Sequence, residues 1–195
     1  MASFRPAHRV HRLLPLPLVD RLEGWAVLVL FLGAVDQAQS GFLAPLAFDA
    51  GITPASVAVG DFNGDGRLDL AVADFQGDTV SVLLGNGDGT FQPAQYYAAG
   101  ARPQSVVVGD FNGEGIPDLA VANFGDVSVL LGNGDGSFQD ARHYRAEVAS
   151  RSVAVGDFNG DGHLDLAVTN LDPLLDDSFG TVSVLLNAAD WGGGP

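Results

Sequence analysis

The chain contains no cysteine and few basic residues, and each shortage removes a class of function. Without cysteine there is no thiol nucleophile and no disulfide framework, and the redox compartment stays open. Only 9 basic residues stand against 24 acidic ones, a formal net charge of −15, which argues against nucleic acid and anionic membrane surfaces as partners. Neither a Gly-x-Ser-x-Gly elbow nor a His-Glu-x-x-His pair occurs, so we expect no enzymatic activity.

Long apolar runs are also scarce. The uncharged apolar run 25–35 follows four arginines and precedes the small residues Ala38 and Ser40. This pattern resembles an export signal over 1–40 with cleavage after Ser40, and it predicts a secreted or cell-surface protein. The run is short for crossing a bilayer, so permanent anchoring in a membrane is the alternative.

One acidic segment of nine residues occurs three times, at 61–69, 110–118 and 157–165. The copies read Asp-Phe-Asn-Gly-Asp-Gly-Arg-Leu-Asp, Asp-Phe-Asn-Gly-Glu-Gly-Ile-Pro-Asp and Asp-Phe-Asn-Gly-Asp-Gly-His-Leu-Asp. Acids at alternate positions repel one another unless a hard cation such as Ca²⁺ lies among them. We call these segments acidic loops 1, 2 and 3, and we predict that each binds calcium.

The spacing within each acidic loop indicates how an ion is held. Oxygens at positions one, three, five and nine can converge on one ion if the backbone turns sharply at the glycine of position six. Position seven is Arg67, Ile116 or His163, which share no side-chain chemistry, so we expect a main-chain carbonyl ligand there. Loop 2 departs most from the pattern because Glu114 is longer than aspartate and Pro117 stiffens position eight.

Two alternatives to this kind of calcium site are open. An EF-hand needs a bidentate acid at position twelve, but Val72, Val121 and Val168 stand there, inside strand-like runs. The other alternative is a set of Asx turns without metal, since Asp, Asn and Gly are ordinary turn residues. Three copies in register favour calcium over the second alternative.

A longer repeat surrounds the loops. Phe91 and Tyr97 recur as Phe138 and Tyr144, and a period of roughly 48 residues is typical of propellers and arrays. Each unit is predicted to contain four short strands, which in the first unit are 56–60, 70–74, 79–84 and about 94–98. Between the third and fourth strands, 85–89 and 132–136 carry Asn-Gly and Asp-Gly steps that favour tight hairpins. A second metal site at these hairpins is a less favoured alternative.

These motifs resemble the FG-GAP/VCBS-type repeats, best known as calcium-binding blades of integrin α-subunit β-propellers. The resemblance rests on the Asp-Phe-Asn-Gly-Asp-Gly loop, the Asp-Leu-Ala-Val strand after it and the Leu-Leu-Gly-Asn-Gly-Asp-Gly hairpin. It implies about three structural Ca²⁺ ions held between the first two strands of each blade. The implied ligands are Asp61, Asn63, Asp65, Arg67 and Asp69; Asp110, Asn112, Glu114, Ile116 and Asp118; and Asp157, Asn159, Asp161, His163 and Asp165.

The predicted architecture is an all-β, β-propeller-type array of about three four-stranded antiparallel blades. It occupies 41–188, with units at about 41–90, 91–137 and 138–187 and a tail at 189–195. Propellers close with about four to eight blades, so three do not make a ring. The segment 41–51 matches only a fourth strand, and the last unit stops after its third. The chain is therefore a fragment, an open arc or part of a ring completed by self-association.

The function expected from this array is a protein-binding, glycan-binding or adhesion module. A lectin, or an accessory part of a polysaccharide-processing enzyme, is the alternative. Phe62, Phe111 and Phe158 are expected to pack between blades. We interpret His143 as part of a solvated strand edge, and Tyr96, Tyr97 and Tyr144 as blade packing rather than sugar stacking. An acidic insert at Asp172, Asp176 and Asp177 is expected to be an exposed loop.

Overall fold

The structure of the protein is a computed structural model, which describes residues 41, 43–146, 149–171 and 180–191. Within these residues the backbone forms strands and no helix. None of the described segments is therefore a helix that could cross a membrane. The strands are β1 Pro54–Gly60, β2 Asp69–Asp74, β3 Thr79–Leu83, β4 Gln95–Ala98, β5 Ser105–Gly109, β6 Asp118–Ala122, β7 Asp126–Leu130, β8 Arg142–Arg145, β9 Ser150–Gly156, β10 Asp165–Leu171 and β11 Gly180–Leu185.

The strands form three antiparallel sheets that follow the chain order. Blade 1 is the sheet β1-β2-β3-β4, blade 2 is β5-β6-β7-β8, and blade 3 is β9-β10-β11. Each of the four predicted strands of the first unit is present, with its ends displaced by at most two residues. The prediction of an all-β array of blades is therefore confirmed, and the described sheets do not close into a ring.

Local sequence explains why these strands pair as they do. In the β2–β3 pair, Ala71 faces Val82 and Ala73 faces Val80, so small and β-branched side chains alternate across the ladder. Beyond β3 the chain reverses at the turn 85–91, where Gly85 and Phe91 form an isolated antiparallel bridge. Gly87 and Gly89 have φ of 81° and 87°, angles that glycine adopts without strain.

The apolar core lies between the blades. One buried cluster joins Phe62, Val80 and Val82 of blade 1 to Val106 and Leu119 of blade 2. The first strands of neighbouring blades, β1 with β5 and β5 with β9, lie against each other. Because blade 2 buries one face on blade 1 and the other on blade 3, stability is shared between neighbours.

The expectation for the three loop phenylalanines is confirmed for two and wrong for one. Phe62 and Phe111 are 2% exposed, because blade 2 covers the first and blade 3 covers the second. Phe158 is 53% exposed, because no further blade lies against it in the described part of the chain. The burial of this residue is therefore decided by the neighbouring blade and not by the loop itself.

The segment expected to match a fourth strand does not form one. Residues 43–50 have no strand conformation. Phe48 nevertheless contacts Phe91 edge to face, with ring centroids 5.2 Å apart. A strand needs a neighbour that shares its hydrogen bonds, and this segment has no adjacent sheet edge among the described residues.

Candidate metal centre

The three acidic loops share one backbone conformation. The glycines at positions four and six have φ of 70° and 79° in loop 1, 78° and 79° in loop 2, and 79° and 89° in loop 3. A Cβ at any of the six would meet no atom within 4 Å, so it is the left-handed backbone angle and not lack of space that requires glycine. The sharp turn predicted at position six is present in each copy.

Side-chain oxygens at positions one, three and five gather over this turn. In loop 1 the N–H of Asp65 donates to Asp61 Oδ1 and to Asn63 Oδ1, at 3.1 Å in each case. The next two N–H groups, of Gly66 and Arg67, donate to Asp61 Oδ2 at 2.8 Å and to Asp65 Oδ1 at 2.9 Å. Three consecutive backbone donors thus hold three oxygen-bearing side chains on one side of the loop.

Loops 2 and 3 repeat most of the arrangement. In loop 2 the N–H of Glu114 donates to Asp110 Oδ1 and Asn112 Oδ1, both at 3.1 Å. In loop 3 the N–H of His163 donates to Asp161 Oδ1 at 2.8 Å, which matches the bond to Asp65 in loop 1. This hydrogen bond also holds the pKa of the Asp161 carboxyl below its usual value, and the Asn159 side chain contributes further lowering. In loop 2, as described by the structure, the N–H of Ile116 makes no corresponding bond to the longer side chain of Glu114.

Position nine is buried and differs from the other predicted ligands. Asp69 is 0% exposed and accepts from the N–H of Phe62 at 2.8 Å and from the N–H of Gly85 at 2.7 Å. Asp118 and Asp165 repeat this pair of bonds within their blades. Each position-nine carboxylate therefore joins the acidic loop to the end of the third strand. This role was not predicted from the sequence, because the donors lie 7 and 16 residues away along the chain.

Two acids of loop 2, Asp110 and Asp118, interact electrostatically. Burial raises the pKa of the Asp118 carboxyl, and the negative charge of Asp110 raises it further. The N–H groups of Gly132 and Phe111 oppose the rise by stabilising the carboxylate. A cation bound near these two acids would relieve their repulsion.

The donor set of each loop suits a hard cation. Carboxylate and amide oxygens, with no nitrogen or sulfur, are the ligands that Ca²⁺ prefers. Positions one, three and five come together, whereas position nine faces the two backbone N–H groups. Accordingly, no three His, Asp or Glu side chains in the described residues form a cluster of metal-site dimensions. Loop 1 brings together the acids Asp61 and Asp65 with the amide of Asn63.

The FG-GAP-like repeat profile matches residues 61–121 and 110–168, which together are more than half of the chain. The chain belongs to the FG-GAP-like repeat family. Both matches begin at an acidic loop and run into the second strand of the following unit. No curated protein matches the sequence.

Solved structures resemble this FG-GAP-like chain only in part. One is an Agrocybe aegerita lectin, described with the recognition of non-reducing terminal N-acetylglucosamine, at 27% identity and TM-score 0.43. The match covers 68% of this chain and 38% of the lectin chain. Another is the Photorhabdus luminescens Tc holotoxin pore, at 19% identity and TM-score 0.41, covering 61% of this chain and 6% of that one. The chain therefore spans well under half of either neighbour.

The hairpin turns of this FG-GAP-like chain stabilise their carboxylates with local hydrogen bonds. Asp88 Oδ1 accepts from the N–H of Thr90 at 2.9 Å and from its Oγ1 at 2.6 Å. These bonds lower the pKa of the Asp88 carboxyl. Asp135 and Ser137 form the same pair in blade 2. One carboxylate with its own two donors, and no second acid beside it, matches the plain-turn interpretation.

His143 lies in a cluster that looks catalytic by composition but not by geometry. Its Nδ1 is 3.0 Å from Ser128 Oγ and 3.1 Å from Asp126 Oδ2. A Ser-His-Asp triad places the serine and the acid on opposite ring nitrogens, whereas here both face the same one. Ser128 is also fully buried and donates to the carbonyl of Ala99 at 2.6 Å. The cluster ties β8 to β7.

The packing interpretation is confirmed for Tyr97 and Tyr144 and is wrong for Tyr96, which is exposed. Tyr97 contacts Phe138 and Tyr144 contacts Trp191, both edge to face, as the packing interpretation predicts. Tyr96 is 57% exposed and lines a groove with Asp140 and other residues of blades 1 and 2.

The predicted acidic insert at Asp172, Asp176 and Asp177, like the predicted export signal at 1–40, lies outside the described residues.

Proposed function

We propose that this chain is a secreted binding module whose blades are stabilised by calcium. The observation that carries the proposal is the threefold repetition of one loop conformation with oxygen-bearing side chains gathered at positions one, three and five. A turn that only needed to reverse the chain would not require several acids on one side of it. Calcium fits the oxygen-only donor set and the excess of negative charge.

The residues that would hold the ions follow from the loops. In loop 1 they are Asp61, Asn63, Asp65 and the carbonyl of Arg67, with Asp69 behind them. In loop 2 they are Asp110, Asn112, Glu114, the carbonyl of Ile116 and Asp118. In loop 3 they are Asp157, Asn159, Asp161, the carbonyl of His163 and Asp165. A bound Ca²⁺ would supply positive charge among carboxylates that otherwise repel.

Each loop is placed so that its order affects the whole blade. Loop 1 connects β1 to β2, and Asp69 at its end is bonded to Gly85 at the end of β3. Fixing the loop therefore fixes three strands and preforms the surface that a partner meets, which lowers the entropic cost of binding. In this proposal calcium is structural and takes no part in a reaction.

Isothermal titration calorimetry of calcium into the metal-free chain tests the metal proposal. We expect about three ions per chain, one for each acidic loop. The combined variant Asp61→Ala, Asp110→Ala and Asp157→Ala should lose this binding. The matched control, Asp88→Ala with Asp135→Ala, changes acids of the hairpin turns and should retain it. A folded chain that takes up no calcium at millimolar concentration would overturn the proposal.

A groove between blades 1 and 2 supports a glycan or protein ligand. It is lined by Tyr96, Tyr97, Gln139, Asp140 and His143. An exposed aromatic ring beside amide, carboxylate and imidazole groups can stack on an apolar face and hydrogen-bond hydroxyls at once. This composition favours the lectin alternative over a purely structural role for the blade surface.

A glycan array probed with the chain in calcium distinguishes these ligands. If the groove binds sugar, a glycan signal should appear and the Tyr96→Ser variant should lose it. Ile52→Ser, which changes an exposed apolar side chain outside the groove and outside the acidic loops, is the control. Absence of any glycan signal would leave a protein ligand as the proposal.

Secretion is a separate part of the proposal. It is supported by the arginine-rich, apolar and small-residue pattern of 1–40. Expression of the full chain in a secreting host, followed by N-terminal sequencing of the exported form, tests it. We expect the exported form to begin at Gly41. Retention of the intact chain in the membrane fraction would favour anchoring instead.

A further inference from the structure

The two interfaces inside the array define the faces that a blade buries. We call the face that packs on the next blade the trailing face, and the face that receives it the leading face. On blade 1 the trailing-face side chains are at most 8% exposed, and on blade 2 at most 4%. They are Phe62, Val80, Val82 and Leu84 on blade 1, and Phe111, Val127, Val129 and Leu131 on blade 2.

Blade 3 presents the same trailing face to solvent. Phe158 is 53% exposed, Val182 64%, Val184 52% and Leu186 60%. These residues occupy the positions of Phe111, Val127, Val129 and Leu131 in the repeat. Four large apolar side chains together on one sheet face form the kind of surface that marks a protein interface.

At the other end of the array, the leading face of blade 1 is exposed on β1 and acidic loop 1, while Val72 and Ser81 on the same face are buried. Val57 is 59% exposed, whereas its counterparts Val106 and Val153 are 4% and 5% exposed against the preceding blade. Val59 and Leu68, on the same face, are 52% and 68% exposed. The two uncovered surfaces are thus the two complementary halves of an interface that the chain already forms twice.

Hydrogen bonds across the two interfaces repeat from blade to blade, and in each a group of one blade accepts from a donor of the next blade. Ser56 Oγ accepts from the N–H of Val106 at 3.3 Å, and Ser105 Oγ accepts from the N–H of Val153 at 3.4 Å. The next serine in this series is Ser152. Its Oγ would accept from a backbone N–H of a following blade, at the valine that corresponds to Val106 and Val153.

A second series involves the carbonyl of the loop phenylalanine. The carbonyl of Phe62 accepts from the N–H of Gly136 at 2.9 Å, and that of Phe111 accepts from Asn187 Nδ2 at 2.7 Å. The third member of this series is the carbonyl of Phe158. The N–H of Gly89 is the donor in blade 1 that corresponds to Gly136.

The two ends of the array are also complementary in their outermost segments: Phe48 packs on blade 1 at one end, and β11 has an open side at the other. The edge-to-face pairs Phe48–Phe91, Tyr97–Phe138 and Tyr144–Trp191 have centroid distances of 5.2, 5.5 and 6.1 Å. Phe48 therefore occupies, against blade 1, the place that a fourth strand of a preceding blade takes in the other two pairs. In blade 3, β11 pairs with β10 and with no other described strand.

We propose that a second copy of this chain docks head to tail, its blade 1 leading face covering the blade 3 trailing face of the first copy. The second copy's Val57 N–H then meets Ser152 Oγ, and the second copy's Gly89 N–H meets the carbonyl of Phe158. The segment around the second copy's Phe48 lies along the open side of β11. Two copies joined at both ends supply six blades, within the range of about four to eight at which propellers close.

Sedimentation velocity of the full chain in calcium tests this interface. The wild type should sediment as a dimer. The leading-face variant Val57→Asp with Val59→Asp and the trailing-face variant Val182→Asp with Val184→Asp should each be monomeric. Each variant's dissociation constant should rise by roughly thirtyfold or more, as when a central hot-spot contact is lost. All four valines are more than half exposed, so melting of the monomer should be unchanged.

Mixing the two variants gives the sharper result. The leading-face variant keeps an intact trailing face, and the trailing-face variant keeps an intact leading face, so one wild-type interface can form between them. A one-to-one complex in the mixture, with neither variant associating alone, supports head-to-tail docking. Phe124→Asp, at an exposed side chain in the turn between β6 and β7 of the middle blade, should remain dimeric. A monomeric wild type, a leading-face variant that dimerises alone, or association unaffected by every variant overturns the proposal.

Discussion

Blade 1 contains two turns of almost the same composition, and they use their acids in different ways. The hairpin turn has Asp88 alone, with both the N–H and the hydroxyl of Thr90 donating to one of its oxygens. Acidic loop 1 gathers Asp61, Asn63 and Asp65 on one side of a single turn and buries Asp69 behind them. The number of acids that face one turn, and not the content of Asp, Asn and Gly, separates a candidate cation site from an ordinary hairpin.

Removal of calcium should produce the largest difference between the two turns. A ligand present at one hundred times its Kd stabilises the folded state by about 2.7 kcal/mol per site, and three acidic loops multiply this effect. We therefore expect a chelator to lower the melting temperature markedly, as measured by circular dichroism. The variant with Asp61, Asp110 and Asp157 all changed to Ala should show no response to the chelator. If the chelator leaves the melting temperature of the wild type unchanged, the acidic loops hold no structural metal and do not differ from the hairpin turns in this respect.

The buried acid at the end of loop 1 should give the next largest effect. Asp69→Ala leaves the N–H groups of Phe62 and Gly85 buried without an acceptor, and we expect a loss of about 3 kcal/mol in the free energy of unfolding. Asp88→Ala removes an exposed turn acid, and a clearly smaller loss is expected. Urea unfolding of both variants measures the difference. Equal losses would mean that Asp69 does not clamp the loop to β3.

The exposed acid Asp61 should differ from Asp88 in its dependence on calcium. In calcium, Asp61→Ala should cost about 2 kcal/mol, because it removes both a ligand and an acceptor of backbone N–H groups. In chelator this loss should shrink, whereas the smaller loss for Asp88→Ala should be the same in both conditions. Urea unfolding with and without calcium gives the four values. A calcium-dependent loss at Asp88 would place metal at the hairpin as well.

The smallest effect is expected where the two turns are alike. Gly66 and Gly89 have φ of 79° and 87°, and a Cβ at either would meet no atom within 4 Å. Changing each to Ala should cost about 1–2 kcal/mol through the left-handed backbone angle alone. In chelator the two losses should be equal in thermal unfolding. A much larger loss at Gly66 in chelator would indicate a contact that the structure does not contain.

Sequence alone predicted the strands well because their signals are local. Alternating valines in 79–84 and the Asn-Gly and Asp-Gly steps after them fix the β3 strand and its turn within a few residues of chain. The glycine turn of the acidic loops was predictable for the same reason, since position six needs a positive φ wherever the loop occurs.

What the sequence could not predict depends on distant neighbours. Asp69 was expected to act as a ligand beside Asp61, and its bonds from the N–H groups of Phe62 and Gly85 were not predicted, because Gly85 comes near only after the third strand returns. Phe158 has the same loop sequence around it as Phe62, but its burial depends on a blade that would have to lie beyond it. The repeated sequence predicts the strands and turns of each unit, while the neighbouring blade decides which side chains of that unit are buried.

Crystal diffraction from the chain grown in millimolar calcium, with anomalous difference maps, tests the metal account most directly. We predict one anomalous peak among the oxygens of each acidic loop, beside Asp61, Asp110 and Asp157, and none at the turns that contain Asp88 and Asp135. Acidic loops without peaks in a folded, fully supplied crystal, or peaks at the hairpin turns instead, would contradict it.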